Sequence, residues 1–341
     1  MAPSAQVSVI IAAKNASRTV GRAVRSAMAE EEVSEIVVVD DGSTDSTAEA
    51  ALAVEDGSGR LKILRLGTNR GPAFARNHAI EHSAAPLIAI LDADDFFLPG
   101  RFSRLLAQRD WDLIADNIVF LDEAAADNGI EIAGFDPSPR CLGLAEFVSG
   151  NISRRNARRG ETGFLKPVMR REFLEAAGLR YSDELRLGED YELYVRALAR
   201  GGRYKLIHSC GYGAIVRADS LSGRHRTGDL ERLYKADRSI LGSERLDRAA
   251  EAAIRRHERH IRGRYELRHF LDIKAVSGLL AAGVHGLTRP LALPAIVAGV
   301  AHDKLDTLRP HDAQPDVSLH LPRYLLAATP VAGGRAGNPP I

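Results

Sequence analysis

The chain has 341 residues and 45% hydrophobic content, enough for one large or two modest domains with a sizeable core. Lys and Arg number 46 against 45 Asp and Glu, a formal charge of +1, so the global electrostatic footprint of a nucleic-acid binder is excluded. The two cysteines, Cys141 and Cys210, stand far apart without metal-ligand spacing; they point to neither a disulfide framework nor a zinc site and suit a reducing compartment.

Met1 to Gln6 carries no basic region followed by an apolar one, so no signal peptide is expected and a cytoplasmic place is. Val7–Ala13 is predicted as the first strand. Lys14–Ser17 is a loop, with Ser17 as N-cap of a helix marked by Val20, Val24 and Ala27. Glu35–Asp40 is a second buried strand, running into a turn-rich loop and a helix over 48–54. Leu61–Leu66 is the third strand. A turn at Asn69–Pro72 and a helix over 73–82 follow. Leu87–Leu91, after Pro86, reads as a strand buried on both faces, followed by a helix over 102–108. Alternating strands and helices define an α/β domain with a mostly parallel sheet.

Further on, 111–121 reads as a strand pair or a bent strand, and 122–140 as a surface loop. Residues 144–178 are mixed, with a basic stretch at Arg154–Arg159. A helix starts near Gly188, and Tyr204–Val216 is strand-like. From about Asp229 to Leu271 the composition is that of Arg-, Glu- and Ala-rich helix. The apolar segment 275–301 is interrupted by His285, Arg289, Pro290 and Pro294. It falls short of the ~20 apolar residues of a clean span. The prediction is a core helical hairpin, with attachment to a membrane surface as the alternative. The domain division is 1–228, 229–309 and an irregular tail over 310–341.

In parallel α/β sheets, ligands bind at the carboxyl ends of the strands. Three polar segments fall on that edge: Ala12–Asn15, Asp40–Asp45 and Asp92–Asp95. Adjacent carboxylates at the end of a buried strand repel and are costly to desolvate. A divalent cation with oxygen ligands offsets that cost and can hold a diphosphate. A solvated acidic turn capping the next helix is the competing reading. In Asp40–Asp45 a carboxylate can accept from a base imide or a ribose hydroxyl, or the segment is an ordinary capped loop. Arg76 can face an anionic ligand, pair with Asp92, or form a plain surface ion pair. Asp190, at a helix start, is either a capping acid or a general base for an attacking hydroxyl. Arg217, Arg224 and His225 can close over a diphosphate, or form a solvated basic loop. A dinucleotide fingerprint fails because the segment after the first strand, Ala12 to Asn15, has no glycine. An aspartyl phosphatase fails because Gly42 stands where its second acid belongs.

Five segments in this order carry a family resemblance. They are Val7-Ser-Val-Ile-Ile to Asn15; Asp40-Asp41-Gly-Ser-Thr-Asp45-x-Thr47; Asn69-x-Gly71-x-x-x-Ala-Arg76-Asn77; Asp92-Ala93-Asp94-Asp95-x-x-x-Pro99; and Gly188-Glu189-Asp190. Over roughly residues 7–225 the chain resembles the family 2 inverting glycosyltransferases, and residues 164–225 look like their exopolysaccharide branch, of succinoglycan type. The resemblance implies a GT-A fold: a Rossmann-like, mostly parallel sheet flanked by helices, here with a C-terminal helical extension. It implies a UDP-sugar donor, with glucose as the sugar, and Mg²⁺ or Mn²⁺. The implied acceptor is a lipid-linked oligosaccharide at the inner face of the membrane.

Residue by residue, it implies that Ala12 and Asn15 line the nucleotide pocket and that Asp41, or Asp40, meets the uracil or ribose. Arg76 supports the acidic strand end, Asp92 contacts the ribose, and Ala93, Glu189 and Arg217 stand with the donor-binding set. Asp94 binds the metal, His225 joins it as a ligand, and Asp190 is the base. Ala13 and Lys14 replace the usual proline and aromatic before the first-loop Asn, which removes aromatic packing on the base. The Gln-x-x-Arg-Trp motif of processive synthases is missing, so one sugar per encounter is expected. Two rivals remain at this point. A nucleotidyltransferase carries a glycine-rich loop where Ala12–Ser17 has none; a non-catalytic sugar-nucleotide-binding protein has no need of Asp190.

Overall fold

The computed structural model describes residues 6–128, 132, 133, 135, 138–152, 161–216, 226–289, 293, 296, 297 and 322–326. Strands β1 (Val7–Ala13), β2 (Val33–Asp41), β3 (Leu61–Leu66) and β4 (Leu87–Ile90) form one half of the sheet, in spatial order β3-β2-β1-β4 and parallel throughout. The aliphatic runs of β1, β2 and β4 are what a sheet covered on both faces requires, whereas β3, at the edge, carries the exposed Lys62 and Arg65. The chain walks outward from β1 to β3 and then returns to place β4 on the other side of β1. That reversal puts a crevice at the carboxyl ends of β1 and β4.

Beyond β4 the sheet continues through β8 (Val168–Arg170), β6 (Leu113–Leu121), β9 (Tyr204–Ile215) and β5 (Phe96–Phe97). Strand β8 runs antiparallel to both β4 and β6, whereas β6 and β9 are parallel to each other. The long strand β9 also pairs near its start with β7 (Arg140–Cys141). Strands β1, β2, β3, β4, β6 and β9 therefore share one direction, and the sheet is mostly parallel, as expected.

Helix α1 (Val20–Met28) buries Val20, Ala23, Val24 and Ala27, the spacing of one helix face. Its N-cap position is Thr19, not Ser17. The Ser17 amide instead donates to Asp45 (3.2 Å), in the loop after β2. Helices α2 (Thr47–Leu52), α3 (Pro72–Glu81) and α4 (Arg101–Leu106) lie close to the expected spans.

Several expectations are corrected. Of the two readings of 111–121, the bent strand holds: residues 113–121 form the single strand β6, with register irregularities near Asn117, and there is no strand pair within it. The stretch read as a loop from 122 contains helix α5 (Glu123–Asn128). The mixed region holds α6 (Leu144–Gly150), β8 and α7 (Arg171–Ala176), and its basic stretch Arg154–Arg159 lies outside the described residues. Part of the tail expected to be irregular returns to the sheet: β10 (Arg323–Tyr324) pairs with β6, and the Asn117 side chain bonds both the N–H and the C=O of Leu326.

After α8 (Glu189–Ala199), the helical extension consists of α9 (Thr227–Ser243) and α10 (Arg248–Thr288), the latter capped by Asp247. Asp237 of α9 is fully buried. It accepts from the Tyr191 hydroxyl of α8 (3.0 Å) and meets His257 of α10 (2.7 Å). One carboxylate thus ties both extension helices to α8.

Helix α10 breaks at Gly278, whose φ of 83° lies outside the helical region. A straight helix would separate residues 269 and 285 by about 24 Å. Their rings are 4.8 Å apart, and Arg289 pairs with Glu266 at 3.2 Å. The chain therefore turns back at Gly278, so the first arm of the hairpin is the end of the Arg-, Glu- and Ala-rich helix and not part of the expected segment 275–301, of which most residues beyond 289 lie outside the described residues. The hairpin is not a core element. Val276 is 87% exposed and Leu280 89% exposed, and Leu279, Val284 and Leu287 are exposed as well.

Candidate active site

The loops after β1 and β2 are sewn together. Asn15 has a φ of 49°, and its side-chain oxygen accepts from the Thr44 amide (2.9 Å), while its own amide donates to Ser43 Oγ (2.9 Å). Asp40 accepts from the Ser43 amide (2.9 Å). Asp41 is buried, and its two oxygens accept from the amides of Arg70 (2.6 Å) and Gly71 (2.8 Å), pinning the turn that starts α3. Gly42 allows this closeness: a Cβ there would come 2.7 Å from the Thr68 carbonyl carbon, at a φ of 65°. Both acids are thus engaged in shaping the rim. Ala12 stands half-buried at the end of β1 beside it.

Pinned in this way, α3 delivers two adjacent side chains. Asn77 reads the backbone of Tyr181, donating to its C=O (2.9 Å) and accepting from its N–H (3.0 Å). That holds the segment leading into α8. Arg76, 5% exposed, grips three acids: Asp92 (2.9 Å), Glu189 (2.7 Å) and Asp190 (3.0 Å). The surface-pair reading of Arg76 is thereby replaced by a buried network. Lys166, just before β8, completes it with its ammonium 2.8 Å from Asp92 Oδ2 and 2.8 Å from Asp190 Oδ2. Lys166 was not anticipated. A signal for it exists, because a lone lysine in the apolar run Phe164–Met169 has to find a partner when buried.

Burial opposes ionisation of Asp92, but Lys166 and Arg76 hold its carboxyl well below the usual carboxylate range. Burial also works against the Lys166 ammonium and is outweighed by Asp190 and Asp92, which hold it above its ordinary value. Glu189 is pushed upward by burial, which Arg76 only partly offsets. Asp95 rises through burial and the neighbouring Asp92 and Asp94. Its oxygens face the Tyr212 hydroxyl and the Ile215 amide, which locks the acidic turn to β9. Asp95 is thus structural, whereas Asp92 and Asp94 remain half-buried at the crevice, with Ala93 buried between them.

The rim therefore joins the end of β4 to the start of α8 through two cations. Asp92 and Asp190 share both Arg76 and Lys166, so the expected donor-side acid and the expected base occupy one site. Arg217, Arg224 and His225 lie outside the described residues. Among the described residues, no group of three or more His, Cys, Asp or Glu is arranged as a metal cage. The carboxylates at the end of β4 still suit a divalent ion that arrives with a diphosphate, because such ions are held by one or two carboxylates plus substrate phosphates.

A mostly parallel sheet with an acidic crevice at its switch point, faced by a helix-borne carboxylate, is the arrangement expected of a GT-A glycosyltransferase. The family model for glycosyl transferase family 2 matches residues 8–125. The chain is 60% identical to the succinoglycan biosynthesis protein ExoU of Rhizobium meliloti, over 92% of this chain and 92% of that one. It is 36% identical to the succinoglycan biosynthesis protein ExoO of the same organism, over 78% and 75% of the two chains. The chain belongs to glycosyltransferase family 2. Among solved structures, S. aureus TarS 1-349 in complex with UDP-GlcNAc shares the fold at a TM-score of 0.58 and 20% identity, over 85% of this chain and 79% of that one. Family membership sets aside the nucleotidyltransferase reading.

Proposed function

We propose that this glycosyltransferase moves a hexose, glucose, from UDP-glucose to a hydroxyl of a lipid-linked oligosaccharide in exopolysaccharide synthesis, with inversion to a β-linkage. The observation that carries this is the joint anchoring of Asp92 and Asp190 by Arg76 and Lys166 at the switch-point crevice. The two relatives named for succinoglycan biosynthesis support the pathway.

Asp92 and the rim of Ala12, Asn15, Asp40 and Asp41 receive the uridine and ribose. Arg76 and Lys166 fix the Asp190 carboxylate on the acceptor side of the sugar. Asp190 then takes the proton of the attacking hydroxyl as the new C–O bond forms at the anomeric carbon and the bond to the diphosphate breaks on the opposite face. Bound at Asp94 (with His225 as a further ligand), Mg²⁺ or Mn²⁺ supplies charge neutralisation for the departing diphosphate. Glu189 keeps Arg76 aligned, and Arg217 stands with the donor-binding set.

The exposed apolar residues of the Gly278 hairpin support contact of the enzyme with a membrane surface. Arg264, Arg268 and Lys274 precede the turn and suit an anionic leaflet. Helix α10 is also, by length and composition, apolar enough to cross a membrane. The turn at Gly278 makes a surface-lying hairpin the better fit. Flotation with anionic vesicles reads this contact, and protein that stays entirely in the unbound fraction contradicts it.

Calorimetry tests the donor assignment. UDP-glucose is expected to bind with Mn²⁺ and to weaken by about tenfold or more when EDTA removes the ion. GDP-sugars binding as well as UDP-sugars would overturn the assignment.

A further inference from the structure

The reaction scheme leaves a group of arginines without a task. Asn69, Arg186, Arg226, Asp229 and Arg232 line an open cavity of about 560 Å³. Three guanidinium groups stand there against one carboxylate, and that carboxylate is already engaged. Asp229 accepts from the Arg226 amide (3.1 Å) and pairs with Arg232 (3.1 Å). The lining therefore keeps an excess of positive charge. The cavity also sits at the N-terminal end of α9, a 17-residue helix whose dipole favours anions. Among the described residues, Arg186 makes only a long contact to the Asn69 side-chain oxygen (3.4 Å), so its donors can turn to a ligand.

Contacts on two sides fix where this cavity lies. Leu233, next to Arg232, packs on Gly188, where an added Cβ would come 2.8 Å from a Leu233 methyl. Gly188 precedes Glu189 and Asp190. Arg186 packs over Gly71, whose amide is held by Asp41. The cavity thus flanks the rim on the side of α8. On its other side, Thr227 at the start of α9 bonds the Asp272 carboxylate of α10, just before the Gly278 turn. The exposed Val276, Leu279 and Leu280 therefore lie at the same end of the helix pair as the arginines.

We propose that Arg186, Arg226 and Arg232 form a diphosphate-binding pocket between the catalytic helix and the apolar hairpin. Arginine matches the paired oxygens of a diphosphate bidentately, and three of them against the Asp229 carboxylate leave two positive charges, equal to the two negative charges of a diphosphate that joins two groups. Two sources fit this chemistry: the diphosphate of the sugar nucleotide, and the diphosphate that joins an acceptor glycan to a lipid carrier. The second source rests on the proposed function above; the pocket itself does not. The hairpin beside the pocket favours the lipid-borne group, because a carrier whose tail lies in the membrane holds its diphosphate at the interface where these arginines stand.

The test uses the full chain in EDTA, which removes metal-assisted donor binding. Inorganic pyrophosphate and farnesyl diphosphate are titrated into the wild type, the R186A/R232A variant and the R186K/R232K variant, with UDP plus Mn²⁺ in a parallel arm. All the side chains changed are exposed, so melting midpoints are expected to stay together. The expected result is binding of both probes by the wild type, weakened by about 10- to 100-fold in R186A/R232A and weakened less in R186K/R232K, which keeps the charge and loses the bidentate fork. UDP affinity unchanged in R186A/R232A assigns the pocket to the lipid diphosphate, and a parallel loss of UDP affinity assigns it to the donor. Equal pyrophosphate binding by wild type and R186A/R232A, or none by the wild type at millimolar concentration, overturns the pocket. Neither result bears on donor binding measured with Mn²⁺, so its failure stays distinct from failure of the proposed function.

Discussion

Asp190→Asn is expected to lower sugar transfer by about 10²- to 10⁴-fold, the range a positioned general base contributes. Its effect on UDP affinity is expected to stay within about twofold, under half a kcal/mol. The reason is geometric. Asp190 touches Arg76 and Lys166 through different oxygens, so the asparagine keeps its shape and one acceptor while losing the capacity to take a proton. Glu189 and Asp92 continue to hold Arg76, so the donor rim stays in place. Steady-state turnover and UDP calorimetry on the same preparation separate the two effects. Turnover that is unchanged would remove Asp190 from the mechanism.

Lys166→Met carries the second large effect, on stability as well as activity. Lys166 is 6% exposed and is shared by two carboxylates. Removing one partner of a buried ion pair typically costs about 3–5 kcal/mol, because the other charge is left uncompensated. Asp92 is a third exposed, so water recovers part of that cost and the lower end applies, about 3 kcal/mol. Urea denaturation of variant and wild type measures it. Lys166→Arg should retain most of the stability by keeping the charge, whereas its larger, planar head group should displace Asp190 and depress turnover. A Lys166→Met protein as stable as the wild type would show that the two acids do not depend on this lysine.

What could be read in advance divides along physical lines. Strands β1 and β3 match their predicted spans, because short aliphatic runs bounded by turn residues are local signals. The convergence of Ala12–Asn15, Asp40–Asp45 and Asp92–Asp95 on one edge followed from strand direction alone. Lys166 was hidden because its partners, Asp92 and Asp190, lie far away in sequence and its own neighbourhood is apolar. Glu30 was hidden because its partners also lie far away in sequence and it stands in an acidic run, Glu30-Glu31-Glu32, that reads as solvated. Buried near the end of α1, it accepts from the amides of Gly100 (2.7 Å) and Phe102 (3.1 Å) and so caps a helix that begins some 70 residues later. The roles of Asp40 and Asn15 show the opposite case. Their residue types announced a ligand rim, while their bonds to Ser43 and Thr44 show that they also build it. The Gly278 turn escaped because helical periodicity continues across it. Only a φ beyond the reach of other residues marks the reversal.

The central claim is an in-line displacement driven by a base on the face opposite the diphosphate. It is read most directly by ¹H NMR of the glucose released when the enzyme slowly hydrolyses UDP-glucose in the absence of acceptor, recorded before mutarotation. Water entering from the Asp190 side must give the β-anomer first. The α-anomer appearing first would contradict the displacement and the role of Asp190 within it.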